Sequence, residues 1–186
     1  MKVAVLALQG AFIEHEQMLG RLGVDTVEVR QLSQWQQFLH SPDAYGVILP
    51  GGESTVQMRL LRSLGLFQPL REAILGGMPV LGTCAGMILL SEGYLSTMDM
   101  RVRRNAYGRQ LGSFHTAGAV EGLAPLLPMT FIRAPYVEAL LSGRCRPLAQ
   151  VGGHIVAVSQ GRQIATAFHP ELDDDTRLHE WFLGRL

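Results

Sequence analysis

The chain has 186 residues, 47% hydrophobic and 17% charged. That is the make-up of a compact globular protein, most simply one domain spanning residues 1–186. Sixteen basic and 16 acidic residues leave a formal net charge of zero, so no field favours nucleic acid or an anionic membrane as partner. Two cysteines, Cys84 and Cys145, cannot build a disulfide scaffold, and no Cys/His spacing suits zinc; neither metal nor cofactor is expected.

The apolar start of MKVAVLALQG is only about seven residues, too short for a membrane span and marginal for a signal peptide. It reads as a first buried strand, KVAVLAL (2–8), and the default compartment is the cytoplasm. IEHEQMLGRLG (13–23) places Ile13, Met18, Leu19 and Leu22 near one helical face. TVEVR (26–30) and YGVILP (45–50) read as strands. VQMRLLRSLG and LFQPLREAILGG follow as amphipathic helices that both end in glycine. PVLGT (79–83) is a strand and AGMILLSEG (85–93) a helix. This strand–helix rhythm predicts a mostly parallel sheet covered on both faces.

From Met100 the texture changes. MRVRRNAYGRQ, TAGAVEG, MTFIRAP, LAQVGGHIVAVSQG and RQIATAFHP read as short strands without long helices between them, which predicts antiparallel additions to the sheet. DDDTRLHEWFLGRL opens with aspartates suited to a helix N-terminus and carries an apolar face of Leu178, Trp181, Phe182 and Leu183.

Cys84 stands directly after a predicted strand and directly before a predicted helix. Open α/β folds place their ligands at that carboxyl edge. Gly82 and Gly86 leave room for a sharp corner, and the positive end of the following helix favours a thiolate. Gly82-Thr83-Cys84-Ala85-Gly86 thus has the logic of a nucleophile elbow, with sulfur in place of a hydroxyl. A free cysteine is more often a small buried hydrophobe, but a packing cysteine needs no glycine two residues away on each side. Cys145, in GRCRP, lacks such a setting and reads as incidental, although its two arginine neighbours could make it somewhat reactive.

A thiolate needs a base and the base an orienter. Of six histidines, His169 alone follows a strand-like run and has an acid two residues on, Glu171. Pro170 favours extended backbone at His169, which would turn both side chains the same way. Alone, HPE equally suits a surface histidine; beside a corner cysteine it suggests a Cys-His-Glu triad. PGGEST (50–55) follows another strand and should share the edge with Cys84. It lacks the lysine of a phosphate loop and the spacing of a dinucleotide fingerprint. A Gly-Gly pair can present N–H groups to an oxyanion, and Glu53, Ser54 and Thr55 can also cap the next helix.

Taken together, VLALQGAFIEH (5–15), LPGGEST (49–55), GTCAGMILL (82–90), RRNAYGRQ (103–110), FIRAP (131–135) and ATAFHPEL (165–172) resemble the glutaminase subunits of two-component pyridoxal 5′-phosphate synthases. GTCAG with HPE alone would indicate only the wider class of triad glutamine amidotransferases. The resemblance implies a flavodoxin-like three-layer α/β domain, a mostly parallel sheet with antiparallel additions in the second half, and hydrolysis of L-glutamine to glutamate and ammonia. It implies that Cys84 attacks the amide and forms a glutamyl thioester, that His169 moves protons and that Glu171 orients the imidazole. By the same resemblance Gly52 and Ala85 supply an oxyanion hole, and Gly52, Glu53, Ser54, Arg104, Ile132 and Arg133 line the glutamine pocket. A cation there suits the α-carboxylate. The chain departs from the pattern after GRQLGSF, where His115-Thr116 stands in place of the usual acid; no catalytic role is assigned to His115.

An ammonia-releasing chain of this length has no room for a synthase that consumes the product. The resemblance supplies one: a barrel-shaped synthase subunit in a large hetero-oligomer, fed through a tunnel. LQGAFIEH, at the end of the first strand, is a candidate docking surface. Gly51-Gly52 could flip cheaply, so the oxyanion hole could form only on docking. A glutaminase subunit of another biosynthesis, such as imidazole glycerol phosphate synthase, would carry the same triad, but GGEST and FIRAP weigh against it. A non-catalytic module on the same fold is disfavoured by the intact Cys84, His169 and Glu171, and a protease-like relative by the glutamine-pocket blocks.

Overall fold

The computed structural model describes residues 1–104 and 113–184. Much of the block RRNAYGRQ, and with it the distal part of the strand expected over 100–110, lies outside the described residues.

Three crossovers build the first half. Strand β1 (Lys2–Leu6) leads through helix α1 (Phe12–Arg21) to β2 (Asp25–Val29), then through α2 (Leu32–Leu39) to β3 (Ala44–Leu49). Helices α3 (Ser54–Ser63) and α4 (Phe67–Leu75) connect to β4 (Val80–Thr83), and α5 (Ala85–Leu90) follows without a break. Five strands run parallel in the order β2-β1-β3-β4-β11, the last being Gln163–Thr166. This is the flavodoxin-like 2-1-3-4-5 order. The step from β1 to β2 runs opposite to that from β3 to β4, so right-handed crossovers put α1 and the α3–α4 pair on opposite faces. Both faces being covered, the central strands are apolar throughout: Val3–Leu6, Val47–Leu49 and Val80–Leu81 are almost fully buried.

The second half adds antiparallel strands. Hairpin β9 (Arg146–Val151) and β10 (His154–Gln160) turns at Gly152-Gly153, both at positive φ. Strand β10 also pairs antiparallel with β11 and β8 (Tyr136–Leu140), and β8 with β5 (Met100–Arg103). A separate two-stranded ribbon, β6 (Ser113–Val120) and β7 (Ala124–Ile132), stands apart from the main sheet. Helix α6 (Arg177–Phe182) closes the described chain. Among the described residues, no helix is long and apolar enough to cross a membrane.

Several boundaries and faces differ from the sequence reading. Helix α2, unanticipated, buries Trp35 and Phe38 behind a polar composition. The buried face of α1 is His15, Met18 and Leu19, whereas Ile13 is 50% exposed. The i, i+3, i+4 stripe passes through the histidine, not the isoleucine. In α6 the buried set likewise includes His179 with Leu178 and Phe182, while Trp181 is only half-buried. Strand β7 begins at Ala124, five residues before the predicted run, and β8 was not anticipated.

Candidate active site

Strands β3, β4 and β11 end side by side, and the chain leaving each carries part of the site. Thr166 at the end of β11 lies opposite Thr83 at the end of β4. The Cys84 N–H donates to the Thr166 carbonyl at 2.7 Å, so the corner starts from the last rung of the parallel ladder. Cys84 itself has φ 49° and ψ −101°, outside the ordinary regions for a side-chain-bearing residue. The corner is possible because α5 comes very close to β3. A Cβ added at Gly86 would overlap the Leu49 carbonyl oxygen and sit 2.8 Å from its carbon. One added at Gly82 would lie 2.9 Å from the Gly86 carbonyl. The glycine fence is therefore a packing requirement of the elbow.

The chain leaving β11 brings His169 and Glu171 to the same place. The expected extended backbone is not what pairs them. Pro170 opens a 3₁₀ turn, Pro170–Leu172, because its fixed φ suits the first position of a helical turn. The turn folds the Glu171 carboxylate back so that His169 Nδ1 donates to Oε1 at 2.7 Å. The His169 backbone N–H donates to the Thr130 carbonyl of β7 at 2.8 Å, which ties His169 to the ribbon. The ribbon also faces Cys84, with the Ile132 carbonyl 3.9 Å from its Sγ. Cys84, His169 and Glu171 are all buried. Burial works to lower the His169 imidazole, but hydrogen bonds and charges at Cys84 and Glu171 outweigh it and raise it to about 10. Burial works to raise Glu171, yet the His15 and His169 rings hold it below the ordinary carboxylate range.

Beside the thiol lies a cavity of about 110 Å³ lined by Gly52, Glu53, Ser54, Cys84, Ile88, Arg104, Ile132 and Arg133. Every pocket residue expected from the sequence is in it; Ile88, in the helix that follows the corner, was missed. The volume is far below the roughly 300–1,000 Å³ of drug-sized sites and suits something as small as one amino acid. Arg104 crosses the opening to Glu53 Oε1 at 3.2 Å, and Arg133 holds a positive φ of 45°. A larger cavity of about 620 Å³ contains Gln163 and Arg162 at the opposite end of β11 and none of the three catalytic candidates.

The loop after β3 is braced by the loop after β1. The Ala11 N–H donates to the Gly51 carbonyl at 3.0 Å. In a trans peptide this turns the Gly52 N–H the opposite way. Gln9 Oε1 accepts from the Glu53 N–H at 2.7 Å, and Gln57 Nε2 donates to the Gln9 carbonyl at 2.9 Å. The N–H of Ala85 is the first of α5 and, as at any helix start, has no partner within the helix. Cys145 is a correction to the sequence reading: it is buried, and burial with the nearby Asp99 charge pushes its thiol up to about 11, so the flanking arginines do not make it reactive. His115 is exposed on β6, its Nδ1 2.9 Å from Thr130 Oγ1 and 3.6 Å from Asp173 Oδ1, outside the site.

A cysteine on a strained strand-to-helix corner, with a histidine–glutamate pair from the adjacent parallel strand beside it, is the arrangement expected of an α/β amidase with a cysteine nucleophile. The chain belongs to the SNO glutamine amidotransferase family, whose model matches residues 5–186. It is 50% identical to the pyridoxal 5′-phosphate synthase subunit PdxT of Streptococcus pneumoniae strain ATCC 700669 / Spain 23F-1, covering 99% of this chain and 97% of that protein. The same identity and coverage hold for PdxT of Streptococcus pneumoniae serotype 2 strain D39 / NCTC 7466. A solved glutamine amidotransferase superposes with a TM-score of 0.87 at 40% identity, covering 98% of this chain and 97% of that one. A glutamine amidotransferase from Thermotoga maritima shares the fold, with a TM-score of 0.66 at 17% identity, over 99% of this chain and 81% of that one.

Proposed function

We propose that this chain is the glutaminase subunit of a pyridoxal 5′-phosphate synthase, releasing ammonia from L-glutamine for a synthase partner. The observation that carries the reading is the small cavity that Cys84 shares with the Gly52–Ser54 loop and two arginines. Membership of the family and 50% identity to PdxT chains name the reaction and the pathway it serves.

In this mechanism the Cys84 thiolate attacks the side-chain amide carbon, and the N–H groups of Gly52 and Ala85 receive the developing oxyanion. His169, carrying the proton, gives it to the departing nitrogen, and ammonia leaves a glutamyl thioester on Cys84. The imidazole, now neutral, takes a proton from water, whose oxygen attacks the thioester carbon. Glutamate and the Cys84 thiolate are regenerated, with His169 protonated again. Glu171 holds Nδ1–H throughout, so that Nε2 faces the sulfur. Arg104 and Arg133 pair with the α-carboxylate of glutamine, and Glu53 and Ser54 line the amino-acid end.

The partner is a barrel-fold synthase subunit in a large hetero-oligomer, docked over the β1–α1 loop. That loop reaches the oxyanion peptide directly, through Ala11 on the Gly51 carbonyl and Gln9 on the Glu53 N–H. A partner pressing on residues 9–11 therefore sets the orientation of the Gly51–Gly52 peptide, and the isolated subunit is nearly silent. The test is glutamate release from L-glutamine by wild type and Cys84→Ala, each with and without the synthase subunit. Synthase-dependent release that disappears in Cys84→Ala is the expected result. No release from wild type beside a synthase active on ammonium salts would overturn the assignment.

A further inference from the structure

A second buried layer lies behind Glu171, and the reaction above makes no use of it. His15 on α1 is fully enclosed and touches three groups from three other elements. Its Nε2 is 3.4 Å from Glu171 Oε2 and 3.1 Å from Thr83 Oγ1 on β4. Its Nδ1 is 3.0 Å from Nε2 of His179 on α6, also fully enclosed. Glu171 Oε1 is occupied by His169, but Oε2 is sealed from solvent without a conventional hydrogen bond. His15 is the polar group set opposite it.

The tautomers follow from what each arrangement would leave unpaired. If His15 donated from Nδ1 to His179, its Nε2 lone pair would face the carboxylate, and the Nδ1–H of His179, which has no partner, would be an orphan donor. If His179 donates from Nε2 instead, His15 Nε2–H faces Glu171 and Thr83, and the atom left over on His179 is only a lone pair. An unfilled acceptor is tolerated better than a buried unfilled donor, and a carboxylate favours a donor in front of it. Burial holds both rings below their ordinary values, against the pull of Glu171 on His15, so the layer is neutral.

We propose that His15 is a positioning residue for the Cys84–His169–Glu171 site, pointing Nε2–H at the second oxygen of Glu171, with His179 fixing the tautomer that does so. The proposal rests on the triad reading above. With Oε1 bonded to His169 and the positive end of the His15 Nε2–H facing Oε2 at 3.4 Å, the carboxylate is held in plane and kept ionised although it is buried. An ionised, immobile Glu171 keeps the imidazolium of His169 directed at sulfur. The groups acting on Glu171 are His15 from α1 and His169 from its own segment; those acting on His15 are Glu171, His169, His179 and the neighbouring Glu14.

The test is the pH dependence of synthase-stimulated glutaminase activity in the assembled complex, for wild type, His15→Leu, His15→Gln, His179→Leu and Cys84→Ala. Leucine removes the donor; the glutamine amide nitrogen lies where imidazole Nε2 does and keeps it. His15→Leu is expected to lower kcat by about 10-fold, the low end for a donor facing a buried carboxylate, with KM for glutamine little changed. Without the donor the Glu171 carboxyl protonates at higher pH, so the acid limb of the profile moves up. His15→Gln should restore most of the rate and return the limb toward wild type. His179→Leu should shift the limb in the same direction by less, and it serves where His15→Leu fails to fold. A folded His15→Leu with an unmoved limb, an unmoved limb in His179→Leu, or a His15→Gln no better than leucine would overturn the proposal while leaving the triad intact. Activity surviving in Cys84→Ala would remove the triad reading itself.

Discussion

Gly51→Ala should disable the enzyme without unfolding it. The Gly51 φ lies outside the left-handed region, so an alanine fits its backbone. The obstacle is the site. The new methyl would lie 3.0 Å from His169 Nδ1, closer still to Cε1, and 3.4 Å from Cys84 Cβ. Carbon contacts settle at about 3.5–4.0 Å, so the imidazole must retreat by roughly 1 Å. Its two anchors, Glu171 through Nδ1 and the Thr130 carbonyl through the backbone, both resist that movement. A 1 Å misplacement of a reacting group costs about 100-fold, equivalent to about 2.7 kcal/mol of barrier. Glutamate release with saturating synthase should fall by about that factor in kcat, while the thermal midpoint moves by only a few degrees. Turnover within threefold of wild type would refute the reasoning, because it would mean that the His169 ring is not held against Gly51 during the reaction.

Three further outcomes are expected. Gly86→Ala places a methyl on the Leu49 carbonyl, a backbone group that cannot rotate away; thermal or denaturant unfolding should show a loss of about 1–3 kcal/mol or more, and a wild-type midpoint would contradict the close approach of α5 to β3. Because the His169 value is raised, its charge stabilises the fold fully below about pH 6.5 and loses that effect as pH rises through about 10. An NMR titration of the His169 ring should therefore show a high midpoint in wild type and a lower one in Cys84→Ala; a wild-type midpoint near 6.5 would be wrong for this site. Gln9→Ala removes the acceptor for the Glu53 N–H and should lower synthase-stimulated turnover about fivefold, the worth of one ordinary hydrogen bond; unchanged activation at saturating synthase would take Gln9 out of the coupling.

The parts of this site written in local pattern were legible, and those made by folding were not. Cys84 could be picked out because its two glycines answer a steric demand three residues wide. The mostly parallel, doubly covered sheet followed from alternating apolar runs, and the PGGEST loop fell on the right edge because β3 neighbours β4. The fit of His169 to Glu171 was expected for the wrong reason, since a proline that disfavours helix before it also starts a turn after it. His15 and His179 were passed over because a histidine in an amphipathic stretch counts as polar, and only the folded chain brings the two rings together beside Thr83 and Glu171. Helix α2 was missed for a related reason: in LSQWQQFL two buried aromatics are outnumbered by glutamine and serine.

The ribbon β6–β7 explains why the second half of the chain cannot be separated from the chemistry of the first. Cys84 and Arg133 both hold positive φ, at 49° and 45°, and both line the same small cavity. Strain of this kind costs about 1–3 kcal/mol per residue and persists only where neighbours enforce it. The parallel sheet enforces it on one side, through the Thr166 carbonyl on the Cys84 N–H and the close seat of α5. The ribbon bounds the other side, with the Ile132 carbonyl at the thiol and the Thr130 carbonyl on the His169 N–H. Cys84 and His169 are thus each referred to two substructures that, among the described residues, share no strand pairing. A movement of the ribbon relative to the sheet would change the Cys84–His169 geometry before it broke any ladder hydrogen bond, so activity should be lost at milder perturbations than secondary structure.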